Sequence, residues 1–179
     1  LKEESGSKED LDLEAAAETL SGFMDEDRKS TALKSIQGKI WAAGFKGGAL
    51  KGSFFSDVAP SLLEWKSSGL TIAVYSSGSV QAQQLLFSSS DQGDLRTYIS
   101  AWFDTRTGPK LTADSYRKIA SEMKTPEGRI LFISDNTREL EAAATAGLQV
   151  LLARRPGNPE TSESCPFTPI QTFTEVKLT

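Results

Sequence analysis

The chain has 179 residues, 20 Lys and Arg against 24 Asp and Glu, a formal charge of −4, one Cys (Cys165) and no His. Those counts exclude a Ser-His-Asp or Cys-His catalytic unit, a His-ligated metal, an intrachain disulfide and a structural zinc site. Any bound metal is expected to be hard and oxygen-ligated, and proton transfer is left to carboxylates, Lys, Tyr or water.

An apolar content of 38% at this length suits one globular domain. The net acidity argues against a nucleic-acid partner. No run approaches the ~20 apolar residues of a membrane span, and no charged-then-apolar leader opens the chain. A soluble intracellular monomer is expected, resident in the cytoplasm or also the nucleus, with a small-molecule substrate.

In chain order, residues 1 to 10 are polar, and Leu11 to Leu20 is weakly helix-compatible. Ser30 or Thr31 can cap a stronger helix, with Leu33, Ile36, Ile40 and Trp41 on one face, and Phe45-Lys46-Gly47-Gly48 breaks it. Asp57 is placed to cap a helix that has Pro60 in its first turn, turns Leu62 and Trp65 inward, and stops at Gly69. Leu70 to Tyr75 predicts a strand, then Ser76-Ser77-Gly78-Ser79 and a helix over Val80 to Phe87. Asp91 to Asp94 is a loop, and Tyr98 to Phe103 is of open type. Tyr116, Ile119, Ala120 and Met123 mark a helix face. The strand Ile130 to Ile133 ends at Ser134-Asp135, and a helix carries Leu140, Ala143 and Ala144 inward before Gly147. Leu148 to Ala153 predicts a strand, Arg154 to Glu160 a Pro/Gly loop, and Thr168 to Val176 a last edge strand. Apolar strands alternating with amphipathic helices indicate a mostly parallel α/β sheet flanked by helices.

Ligands in such sheets sit beyond the carboxyl ends of the strands. Ser76-Ser77-Gly78-Ser79 offers hydroxyls and backbone N–H groups at a helix start, suited to an anionic oxygen. Asp135 places a carboxylate where it could hold a divalent cation, and Lys110 lies in a loop just before the Tyr116 helix. Alone, the serines suit a capped turn, Asp135 a helix cap and Lys110 a solvated surface. Together they form a kit for phosphoryl chemistry, where positioning and charge neutralisation dominate.

The order of these pieces resembles the haloacid-dehalogenase phosphohydrolase superfamily. Asp27-Arg28-Lys29-Ser30-Thr31-Ala32-Leu33-Lys34, Gln37-Gly38, Trp41, Tyr75-Ser76-Ser77-Gly78-Ser79, Ala82-Gln83, Leu85-Leu86-Phe87, Phe103-Asp104-Thr105, Ser115-Tyr116 and Arg155-Pro156-Gly157-Asn158 are similar to enolase-phosphatase (acireductone synthase), a methionine-salvage family. The resemblance implies a Rossmannoid core over residues 53–179 and the remainder of a helical cap over residues 1–52. It implies substrate-binding roles for Ser76 and Ser77, and a catalytic, phosphate-neutralising role for Lys110. It implies Mg²⁺ on Asp135, with Glu139 as a second acid or the partner of Lys110. The implied substrate is 2,3-diketo-5-methylthiopentyl-1-phosphate, a small sugar-like phosphate that is enolised and then dephosphorylated.

The superfamily's first motif, an apolar strand ending in Asp-x-Asp or Asp-x-Glu before Gly-Thr, has no match. Asp10-Leu11-Asp12 and Asp25-Glu26-Asp27 neither follow an apolar strand nor precede Gly-Thr. The chain opens on Leu1, so the expectation is a longer enolase-phosphatase whose central first strand, with its nucleophile, is missing here. Two alternatives stand beside it: an inert truncated binding or regulatory module, and a phosphatase for another small ester.

Overall fold

A computed structural model describes residues 50–158 and 165–177, together with Gly44, Phe45 and Gly47. The chain divides into two compact units, Leu1–Lys51 and Gly52–Thr179. The helices anticipated before Trp41 lie outside the described residues. The elements with described bounds all belong to the second unit.

They run α1 (Val58–Ser67), β1 (Ala73–Tyr75), α2 (Val80–Ser88), β2 (Ala101–Phe103), α3 (Ala113–Glu122), β3 (Leu131–Ser134), α4 (Thr137–Thr145), β4 (Gln149–Ala153) and β5 (Pro169–Ile170). The segment of open type, Tyr98 to Phe103, resolves into the end of a 3₁₀ turn over Leu95–Tyr98 and strand β2. Among the described residues, all pairs of these strands are parallel. They form two sheets, β1–β2 and β3–β4–β5. Among the described residues, β1 and β3 therefore each pair along one edge alone.

The apolar residues gather in two clusters. Tyr116, Ala142, Ala143, Ala146 and Leu148 are buried beneath α3 and α4, with Phe132 and Val150 of the second sheet packed against them. Val58, Leu62 and Leu95 are buried under α1, with Trp65, Ile72, Phe87 and Phe173 around them. Tyr116 spans the gap between the sheets, edge-to-face with Tyr75 of β1 at 5.7 Å and with Phe132 of β3 at 5.0 Å. Such pairs add packing energy beyond the area they bury.

Several local expectations shift. The strand anticipated from Leu70 begins only at Ala73. Asp57 stands at the N-cap of α1 but makes no side-chain cap bond, because Arg155, far along the chain, claims its carboxylate. Asn136 caps α4 by accepting the Arg138 N–H. On α4 the buried stripe is Glu139, Leu140, Ala142 and Ala143, whereas Ala144 faces solvent. The last strand shrinks to Pro169–Ile170, followed by a 3₁₀ turn over Phe173–Glu175. There Thr172 and Glu175 satisfy each other's backbone N–H groups in a capping box, which ends the extended run. No described helix is long and apolar enough to cross a membrane.

Candidate active site

The loop Gly108-Pro109-Lys110 is held by three hydroxyls on three successive carbonyls. Tyr75 Oη donates to Gly108 O at 2.8 Å, Ser115 Oγ to Pro109 O at 2.7 Å, and Tyr116 Oη to Lys110 O at 2.7 Å. Burial pushes both tyrosines up from their ordinary pKa, and the negative charge of Glu139 pushes the same way, so both remain protonated donors. Gly108 has φ +155° and no room for a side chain, since a Cβ there would lie 2.2 Å from Ser115 Oγ.

This cradle delivers Lys110 to the end of β3. Its Nζ lies 2.6 Å from Glu139 Oε2, with the Lys side chain 22% and the Glu side chain 12% exposed, and 5.7 Å from the centre of the Tyr75 ring. Ser134 Oγ donates to the same Glu139 oxygen at 2.9 Å. The first turn of α4 sets Glu139 facing back over the strand it follows. A Lys in such a pair is a fixed positive charge rather than a mobile one, because its four-carbon stem has lost its rotamer freedom.

Asp135, next along, is exposed. Capping by Asn136 leaves its carboxylate out of the helix start, where it accepts from Asn158 Nδ2 at 2.5 Å. Lys110, Ser134, Asp135 and Asn158 line an open cleft of roughly 490 Å³, whose apolar side is Phe55, Val58, Ile133 and Phe173. Among the described residues no three acidic, Cys or His side chains gather to cage a metal ion. Asp135 therefore fits a cation as a single ligand only. That suits Mg²⁺, which commonly takes one or two carboxylates and completes its shell with water and phosphate oxygens.

Ser76 and Ser77 stand apart from that cleft, immediately after β1. Ser76 is half-buried, its Oγ accepting the Gly78 N–H at 3.2 Å, and Ser77 is exposed. Ser79 caps α2 by accepting the Ala82 N–H. Two buried side chains brace this turn. Gln83 Nε2 donates to Gly78 O at 2.8 Å and Phe103 O at 2.9 Å, and Asp104 accepts the Val80 N–H at 3.1 Å. Hydrogen bonds from Arg106, with backbone N–H groups of Arg106 and Val80, hold Asp104 down at about 2.

The structure thus brings Lys110, Glu139 and Asp135 together and sets Ser76 and Ser77 on the adjoining sheet, linked through Tyr75. Sequence reasoning missed the Tyr75 and Ser115 hydroxyls, Ser134 Oγ and Asn158 as parts of the arrangement. Of these, Ser115 alone had a local signal, the hydroxyl-bearing Thr105, Thr107, Thr112 and Ser115 on either side of Gly108-Pro109-Lys110.

Residues 9–147 match the model of the haloacid dehalogenase-like hydrolases. Enolase-phosphatase E1 of Synechococcus elongatus is 52% identical over 162 residues, covering 90% of this chain and 68% of that protein. The namesake from Stenotrophomonas maltophilia is 53% identical over 139 residues, 78% of this chain and 60% of that one. Among solved structures, the UTR4 protein of Saccharomyces cerevisiae superposes with a TM-score of 0.83 at 32% identity, covering 94% of this chain and 77% of that chain. With its parallel strands, flanking helices and these likenesses, the chain belongs to the haloacid dehalogenase-like hydrolase family, within the enolase-phosphatases.

Proposed function

We propose that this chain supplies the Lys- and Asp-bearing part of an Mg²⁺-dependent enolase-phosphatase of methionine salvage. The substrate in this reading is 2,3-diketo-5-methylthiopentyl-1-phosphate. The observation that carries it is the Lys110–Glu139–Ser134 cluster beside Asp135 at the end of β3. Lys110 Nζ, anchored by Glu139, neutralises the phosphoryl oxygens as charge develops on them. The Ser76 and Ser77 hydroxyls, each with an O–H to donate, hold the substrate's oxygens. Asp135 holds the cation, which when bound would offset phosphate charge and orient the phosphoryl group. The cleft's apolar side can accept the apolar end of the substrate while its polar side takes the phosphate.

The nucleophilic carboxylate is the piece not supplied. No Asp-x-Asp string of the sequence follows an apolar run of strand length, and the edges of β1 and β3 left open among the described residues support a reading in which one strand is lacking between them. The 179-residue chain should therefore release no phosphate from the diketo phosphate with Mg²⁺. A chimera that adds the N-terminal segment of the Synechococcus enolase-phosphatase should release it. Lys110→Ala in that chimera should lower turnover by roughly 100-fold or more, the cost of removing a transition-state charge partner. Near-normal turnover would remove Lys110 from the mechanism. Phosphate release by the unextended chain would overturn the missing-nucleophile reading, and a chimera active only on other phosphate esters would favour a different phosphatase.

A further inference from the structure

The least exposed of the described ion pairs lies outside the Lys110 cluster. Arg155 forks onto Asp57 at 2.9 and 2.6 Å, with side chains 10% and 12% exposed. Its guanidinium lies over the rings of Phe55 and Phe173, at 4.8 and 5.0 Å from their centres. Asp57 also accepts the Phe173 N–H at 2.7 Å, which ties the start of α1 to the turn after β5. A planar, stacked, two-point ion pair fixes position and orientation together.

What it fixes is the turn that carries Asn158. The Arg155 N–H donates to Asn158 Oδ1 at 2.6 Å, and the Asn158 N–H returns to Arg155 O at 3.0 Å. With its amide oxygen committed to an N–H donor, Asn158 can present only its NH₂ group to Asp135, where Nδ2 meets Oδ2 at 2.5 Å. Asn136 does the capping at this helix start, and among the described residues nothing donates to Asp135 Oδ1. An exposed Asp without the Asn158 bond would spread over several rotamers.

We propose that Asn158 is a positioning residue for Asp135, holding its carboxylate by Oδ2 and leaving Oδ1 to a ligand, and that the Arg155–Asp57 pair sets where Asn158 stands. The proposal rests on the reading of Asp135 as the cation ligand. Partners of metal ligands typically matter about 10-fold or more in metal affinity, although they touch neither metal nor substrate.

Binding of Mn²⁺ to the full chain in the presence of inorganic phosphate, followed by the paramagnetic resonance of the free ion, tests it in wild type, Asp135→Ala, Asn158→Leu, Asn158→Ala and Arg155→Lys. Asp135→Ala should abolish uptake. Both Asn158 variants should weaken it roughly 10-fold while the circular dichroism of the metal-free chains stays that of wild type, even where loss of the acceptor for the Arg155 N–H lowers the urea midpoint, a split that an unfolding variant would not give. Arg155→Lys keeps the charge and loses the fork, and should weaken uptake in the same direction. Wild-type affinity in both Asn158 variants, with Asp135→Ala impaired, would overturn the role of Asn158 alone. Wild-type affinity in Arg155→Lys would overturn that of the ion pair. An Asp135→Ala chain that binds as wild type, or a wild type that binds no Mn²⁺, would instead overturn the reading of Asp135. The Asn158 bond is then decided by the ¹⁵N-edited spectrum of the metal-free chain. Its Nδ2 protons should resonate downfield of exposed Asn amides and move upfield in Asp135→Ala. Protons that stay put would overturn the bond.

Discussion

Three hydroxyls on three consecutive carbonyls make the loop before α3 a place where single atoms count. Tyr116→Phe removes the donor to Lys110 O and leaves that carbonyl short of a partner, a loss of about 1–3 kcal/mol. A urea melt of the variant should show it as a lower midpoint with an unchanged slope. Gly108→Ala should cost more than the ordinary Gly-to-Ala change, since the new Cβ meets Ser115 Oγ at 2.2 Å and displaces the hydroxyl that holds Pro109 O. Asp104 gives a pH signature. Its carboxyl, ordinarily near 3.8, is held at about 2 by Arg106 and two backbone N–H groups. A carboxyl held lower in the folded chain than in the unfolded one stabilises above the unfolded value, and that contribution fades as pH falls toward the folded value. Asp57, lowered by Arg155, has the same sign. The urea midpoint should therefore drop between about pH 4 and pH 2, and Asp104→Asn should drop less over that window. A parallel drop in both proteins would assign the acid sensitivity elsewhere.

At the scale of elements, the joint between α1 and the turn over Phe173–Glu175 depends on Asp57 and Arg155. Removing one partner of so little-exposed a pair leaves the other charge stranded, at a cost of about 3–5 kcal/mol. Asp57→Ala should thus destabilise strongly, and the Asp57→Ala/Arg155→Ala double variant should lose less than the sum of the singles. A double-mutant cycle by urea unfolding with no coupling would contradict the pairing. This joint also marks where the sequence stopped being legible. Tyr116, Ile119 and Ala120 are visible as a helix face because three-to-four-residue spacing is a local signal, and they are buried as that signal requires. Asp57 occupies the position a cap would, yet its true partner lies 98 residues away, and no local pattern encodes such a contact. The extended tail fails for the opposite reason. Its alternation is genuine, but the Thr172–Glu175 box offers the backbone nearer partners than a strand would. Lys110, Asp135 and Glu139 were legible through the order of short motifs shared with a family. The hydroxyl cradle was not, because it depends on where Tyr75 and α3 come to lie in the fold.

For the whole molecule, the division of the strands into two sheets outweighs any single contact. Tyr116 bridges Tyr75 and Phe132, but ring contacts on one face do not satisfy a strand's backbone groups. The edges of β1 and β3 that have no partner among the described residues are templates for pairing with another chain. Light scattering by the 179-residue chain should rise with concentration, and the chimera carrying an additional strand should stay flat over the same range. Equal scattering by both would show that these edges are otherwise protected.

The helix start after β3 divides its labour between neighbours, Asn136 capping α4 and Asp135 pointing elsewhere. Asp and Asn cap helices about equally well. Exchanging the two residues would leave composition, net charge and helix content as they are, while moving the one carboxylate by a single position along the backbone. If Asp135 is the cation ligand proposed above, a chain could keep its entire fold at this spot and forfeit its chemistry by an anagram. Stability measurements alone would never register the loss.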